Sequence, residues 1–94
     1  MSKYAVKPTK QFKQAVKRLT KRHYDLELLK IAVKILADGG TLPPQYHDHE
    51  LTGKLKGFHD CHIMPDWVLL YRIFDDTLVL SLINTGTHRD VGLE

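Results

Sequence analysis

The hydrophobic residues of this chain change period once, and that change limits its architecture more than any other feature. Up to Gly40 the apolar positions recur at helical spacing, and from Phe58 onward they alternate. Phe12, Val16 and Leu19 fall on one side of a predicted helix, with Ala15 nearby and His23 at the end of the stripe. Lys10, Lys13, Lys17 and Lys21 fall on the opposite side, so this helix offers a lysine ridge to solvent and an apolar stripe to a core. Pro8 ends the extended segment "KYAVKP" and disfavours helix at Lys7, which leaves Thr9 as the N-cap. A second helix is predicted within "YDLELLKIAVKILADGG", capped by Asp25 and stopped by Gly39 and Gly40. Its apolar face is Leu28, Leu29, Ala32, Ile35 and Leu36.

The stretch "TLPPQYHDHELTGKLKG" reads as a loop, and long loops in compact domains are often functional. Beyond it, Phe58–Met64, Val68–Phe74 and Thr77–Thr85 read as strands, with Asp75–Asp76 as a tight hairpin turn. On the first strand Cys61 and Ile63 point one way, and Asp60, His62 and Met64 the other. Two helices must cover one sheet face, so the Cys61/Ile63 side is expected to meet them and His62 to lie on the open side. The expected fold class is α+β in the order β-α-α-β-β-β, a twisted antiparallel sheet with two N-terminal helices on one face.

The 94 residues suit a single domain spanning 1–94, and 43% hydrophobic with 27% charged residues is a globular mixture. No apolar run approaches the ~18 residues of a membrane span, and "MSKYAVKPTK" lacks the apolar core of a secretory signal. Cys61 is the only cysteine and forms no internal disulfide, which favours a reducing compartment, with the cytoplasm as the expectation. The net charge of +3 is unevenly spread: residues 1–24 hold eight Lys or Arg and no acid, and the remainder carries −5. Such asymmetry suits a polyanion such as nucleic acid, although on charge alone a solvated helix face kept soluble by lysines is the favoured reading.

Six histidines, four of them between His47 and His62, invite acid–base or metal chemistry. "HDH" and "HDCH" match no zinc-finger spacing, and Cys61 points away from His62, so neither a metal site nor a cysteine nucleophile is expected. RNA cleavage without metal needs a base near the 2′-hydroxyl, an acid for the departing 5′-oxygen, and positive charge for the phosphorane. His49, His62, Asp66 and His88 supply titratable groups from a loop, a strand end, a turn and a C-terminal segment. Each also has a structural reading: a surface imidazole for His49 or His88, and a local pair with Asp60 or Asp66 for His62. Trp67 is either core or a platform for stacking a base, and Lys54 and Lys56 are either phosphate contacts or loop lysines.

Taken together, "YHDHELTGKLKGFHDCHIMPDWVLLYRI" and the following "NTGTH" resemble the YafQ-type branch of the RelE/ParE toxin superfamily of bacterial toxin–antitoxin systems, over nearly the whole chain. The resemblance implies a RelE-like fold and a small endoribonuclease that cuts mRNA in the ribosomal A site, without cofactor. It also implies a cognate antitoxin, in a toxin–antitoxin hetero-oligomer, and no membrane. Matching residues give His49, His62, Asp66 and His88 as the implied acid–base set, with Asp60 a neighbouring carboxylate and Trp67 supporting the pocket. His49 or Asp66 is the expected base, His88 the expected acid, and His62 the expected charge stabiliser. Two departures stand out: Asn84 where many relatives carry arginine, and Gly92 where many carry phenylalanine. A non-enzymatic ParE-like toxin, or a catalytically weakened antitoxin-bound protein, are the alternative expectations.

Overall fold

The computed structural model describes residues 2–92; Met1 and the Leu93–Glu94 pair lie outside it. Strand β1 (Ala5–Pro8) leads into helix α1 (Lys10–Lys21) and helix α2 (Leu26–Ala37). A loop with two short 3-10 turns and the two-residue β2 (His49–Glu50) follows, then β3 (His59–Met64), β4 (Trp67–Phe74) and β5 (Val79–Gly86). The sheet order is β1-β5-β4-β3-β2.

Local chemistry accounts for each boundary. Thr9 caps α1 by accepting from the Phe12 N–H at 3.1 Å, while its hydroxyl donates to the Ile83 carbonyl at 2.8 Å and ties the helix start to β5. Asp25 caps α2 by accepting from the Glu27 N–H. Both helices end in the same way: Tyr24 N–H returns to Leu19 O and His23 N–H to Thr20 O, as Gly40 N–H does to Ile35 O and Gly39 N–H to Leu36 O. This motif needs a left-handed residue, which is Gly39 (φ +83°) in α2 but His23 (φ +63°) in α1. His23 therefore does not extend the apolar stripe; it is exposed at the turn. His23→Gly is expected to relieve that backbone strain and stabilise the fold by about 0.5–1 kcal/mol, read as a higher urea midpoint at unchanged slope.

The antiparallel expectation holds for β3 through β5, the stretch read as a loop adds the short antiparallel β2, and β1 runs parallel to β5, Ala5 beside Val79. The turn after β4 also differs. A two-residue hairpin there needs positive φ at one or both central residues, which Asp-Asp lacks a glycine to supply. The turn instead spans residues 75–78, with Leu78 at φ +53°, and β5 starts at Val79. Tyr4 OH donates to Asp75 at 2.6 Å and Ala5 N–H to Leu78 O, so β1 holds this longer turn.

The helices cover one sheet face. Phe12, Ala15 and Leu19 of α1, and Leu29, Ala32 and Leu36 of α2, are buried, together with Cys61, Trp67, Leu69, Tyr71, Leu80 and Leu82 of the strands. Leu28 and Ile35 are only half-buried, because the face of α2 is centred on Ala32. Lys10, Lys13, Lys17 and Lys21 are exposed, as a ridge. Cross-strand partners share a face, so Asp60 with Leu70 and His62 with Val68 occupy the opposite side. That side is not bare: Asp60, Val68 and Leu70 are buried, and side chains from the loop and the C-terminal segment lie over it.

Candidate active site

Asp66 sits in the two-residue turn between β3 and β4, where Pro65 supplies a fixed φ and Met64 pairs with Trp67. From there its carboxylate reaches His88, 22 residues later. The His88 Nδ1 lies 2.9 Å from Asp66 Oδ1, and the His88 backbone N–H donates to the same oxygen at 3.3 Å. Two donors from His88 hold the Asp66 carboxyl below its ordinary pKa of 3.8. With Nδ1 committed to Asp66, the other ring nitrogen is directed outward, and His88 Nε2 lies 3.3 Å from His62 Nε2. The two rings meet edge to face with centroids 5.0 Å apart. Two imidazole nitrogens at this distance share one proton between them, one ring donating and the other accepting.

The turn carrying His88 is built by its neighbours. Thr87 N–H donates to Asp90 Oδ2 and Asp90 N–H to Thr87 Oγ1, both at 3.1 Å. Gly86 is required beside them: its φ is +145°, and a Cβ there would lie 2.8 Å from the Asp90 side chain. Gly92 closes the turn by donating to Arg89 O.

On the other side of His62 stands the loop. His47, in a left-handed conformation (φ +49°), places its ring 5.5 Å from that of His62. His49 lies in β2 opposite Asp60. Its Nδ1 is 2.8 Å from the His47 carbonyl and its Nε2 is 3.0 Å from Asp60 Oδ1, so both ring nitrogens face oxygens. Asp60 is 3% exposed, and the His49 ring lies against its carboxylate. Tyr71 OH donates to Asp48 at 2.6 Å and anchors the loop from beneath. His47, His49, His62, Met64 and Pro65 line an open cleft of about 740 Å³. Among the described residues, no three His, Cys, Asp or Glu are arranged to hold a metal ion.

The four predicted acid–base residues thus lie in one region, with Asp60 beneath His49. Trp67 does not join them on the open side. It shares the face of Leu69, is 1% exposed, meets Tyr24 edge to face and donates its indole N–H to Thr85 Oγ1 at 2.9 Å. The stacking-platform expectation is corrected accordingly: strand parity sends the ring into the core. Lys54 and Lys56 are exposed on and beside the second 3-10 turn. Asn84 is buried, accepting from Thr85 N–H and reaching Asp90 O. Cys61 is fully buried, and burial with nearby Asp48 and Asp60 pushes its thiol pKa up to about 12. Two residues that the sequence reading left out of the site belong to it structurally: His47, against His62, and Asp90, whose T-x-x-D spacing from Thr87 is the signature of reciprocal capping.

Two helices on one side of a five-stranded mixed sheet, with imidazoles and carboxylates gathered on the other, define a small RelE-like toxin. The chain belongs to the YafQ family: residues 4–92 match the family described as bacterial toxin of type II toxin–antitoxin system, YafQ. It is 40% identical over 79 residues to the mRNA interferase toxin YafQ of Escherichia coli K12, covering 83% of this chain and 84% of that one. It is similar to the crystal structure of the E. coli DinJ–YafQ toxin–antitoxin complex, with a TM-score of 0.87 and 35% identity over 96% of this chain and 98% of the other. The metal-bound toxin from Helicobacter pylori superposes with a TM-score of 0.88 at 38% identity, over 94% and 98%.

Proposed function

We propose that this toxin is an endoribonuclease that cuts mRNA on the ribosome by proton transfer between histidines. The observation that carries the reading is the Asp66–His88–His62 relay, 2.9 Å and then 3.3 Å. In this mechanism a neutral His62 accepts the proton of the ribose 2′-hydroxyl and the 2′-oxygen bonds to phosphorus. His88, protonated at Nε2 and held through Nδ1 by Asp66, gives its proton to the 5′-oxygen as the P–O5′ bond breaks. The products are a 2′,3′-cyclic phosphate and a 5′-hydroxyl end. His49 is assigned to charge stabilisation, because both its ring nitrogens already face oxygens. Asp66 is assigned to holding His88, because its depressed pKa makes it a poor base. These two roles replace the base expected for either residue.

The ribosome supplies the alignment of mRNA that a shallow, open cleft does not, and the exposed lysine ridge of α1 suits rRNA phosphates. A cognate antitoxin is the expected protein partner, given the E. coli complex, and the site of action is the cytoplasm. The test is cleavage of mRNA on purified ribosomes with end-group analysis, with and without a chelator selective for transition metals. Cyclic phosphate ends and undiminished rate with chelator are expected. 3′-Hydroxyl ends, or loss of activity restored only by added metal, would replace proton transfer with metal-assisted hydrolysis.

A further inference from the structure

One cation on the sheet face that carries the histidines takes no part in the relay. Arg72 of β4 is half-buried, and its Cζ lies 5.1 Å from the ring centre of Phe58 and 4.8 Å from that of Phe74. A further side of the guanidinium lies against backbone: a Cβ at Gly57 (φ +95°) would be 3.4 Å from Arg72 Nη2. Among the described residues no carboxylate pairs with Arg72. Aromatic rings attract a guanidinium without cancelling its charge. The arrangement therefore fixes Arg72 in place and leaves its positive charge uncompensated.

Its place in the register gives that charge a use. Leu70 pairs with Asp60, which carries His49, and Arg72 follows two residues later on the same face. Two residues of strand advance about 6.8 Å, a step on the scale of one nucleotide of single-stranded RNA. The His62–Val68 row lies two such steps away. With its charge centre held between two phenylalanine rings, the guanidinium keeps N–H donors of the kind that pair with phosphate oxygens. Lys54 and Lys56, exposed just before Gly57, extend the positive edge.

We propose that Arg72, clamped by Phe58, Phe74 and the bare backbone of Gly57, binds an RNA phosphate one or two nucleotides from the bond that is cut. The inference rests on the nuclease reading above and adds a substrate-binding residue to it. The experiment is single-turnover cleavage of ribosome-bound mRNA by wild type, Arg72→Gln and Arg72→Lys. Neutral methylphosphonate linkages are placed singly at one to three nucleotides on either side of the cleavage site. Wild type is expected to lose about ten-fold in kcat/KM, chiefly through KM, at one flanking linkage. Arg72→Gln should show that loss already with all-phosphate RNA and be indifferent to the same linkage, with Arg72→Lys in between. Equal sensitivity of wild type and Arg72→Gln at every linkage would overturn the proposal and leave Arg72 as packing, visible only as a lower Tm. Absence of cleavage by wild type would remove the nuclease reading and this inference with it.

Discussion

His88→Ala is expected to reduce single-turnover mRNA cleavage by about 10²–10⁴-fold, the range typical of a lost general acid, with Tm nearly unchanged. The ring is held at the rim of the fold by Asp66 and His62, not by core packing, so its removal opens no cavity. Asp66→Asn should give a smaller loss, since an amide can still accept from Nδ1 but no longer stabilises an imidazolium. The pH dependence separates the two groups. The Asp66 pKa is depressed in the folded protein, so its contact contributes stability above the ordinary value of 3.8 and loses it only as pH falls through the lower folded value. Asp66 is accordingly anionic throughout the neutral range. A bend in the rate profile between about pH 5 and 8 therefore does not report Asp66, and should persist in Asp66→Asn. A His88→Ala protein that cuts at the wild-type rate would end the relay as a mechanism.

Trp67→Ala carries the largest expected effect on stability, about 3–5 kcal/mol. Against a typical total of ~5–15 kcal/mol that leaves little margin. The indole is 1% exposed, packs on Tyr24 and donates to Thr85 Oγ1, whose hydroxyl in turn donates to Val68 O. Trp67→Phe keeps a six-membered ring but loses the N–H bond and part of the packing, so a smaller loss of about 1–3 kcal/mol is expected. Urea unfolding followed by circular dichroism measures both. Under conditions where Trp67→Phe is fully folded, its cleavage rate should match wild type. A normal urea midpoint with impaired cleavage would instead place the ring against RNA.

That contrast shows which features were legible before any coordinates. Helix caps at Thr9 and Asp25, and the stop at Gly39–Gly40, follow from local chemistry that each segment carries with it. Strand parity correctly set Cys61 apart from His62. Carried across the two-residue turn from Met64, that parity points Trp67 to the open side, and it is the register shift between His62 and Met64, which the sequence does not announce, that turns the ring into the core. The short β2 and the parallel pairing of β1 were not readable, because both depend on partners distant in sequence: His49 on Asp60, and Ala5 on Val79. Gathering His49, His62 and His88 in one place rested on motif resemblance, since no local pattern brings a loop, a strand and a C-terminal turn together. His47 counts among the clustered histidines in the sequence but has no role assigned to it there, for a related reason. Its left-handed backbone, which swings the ring toward His62, is a property of the folded loop.

The pairing of β1 with β5 has a consequence for the order of events during synthesis. Residues 5–8 meet their hydrogen-bonding partners only after residues 79–82 have been made, and contacts of such long sequence separation form slowly. A nascent chain lacking β5 has two helices with an unclosed hydrophobic stripe and no seat for His88. The His62–His88 contact can therefore form only after the last strand and the C-terminal turn have been made and paired.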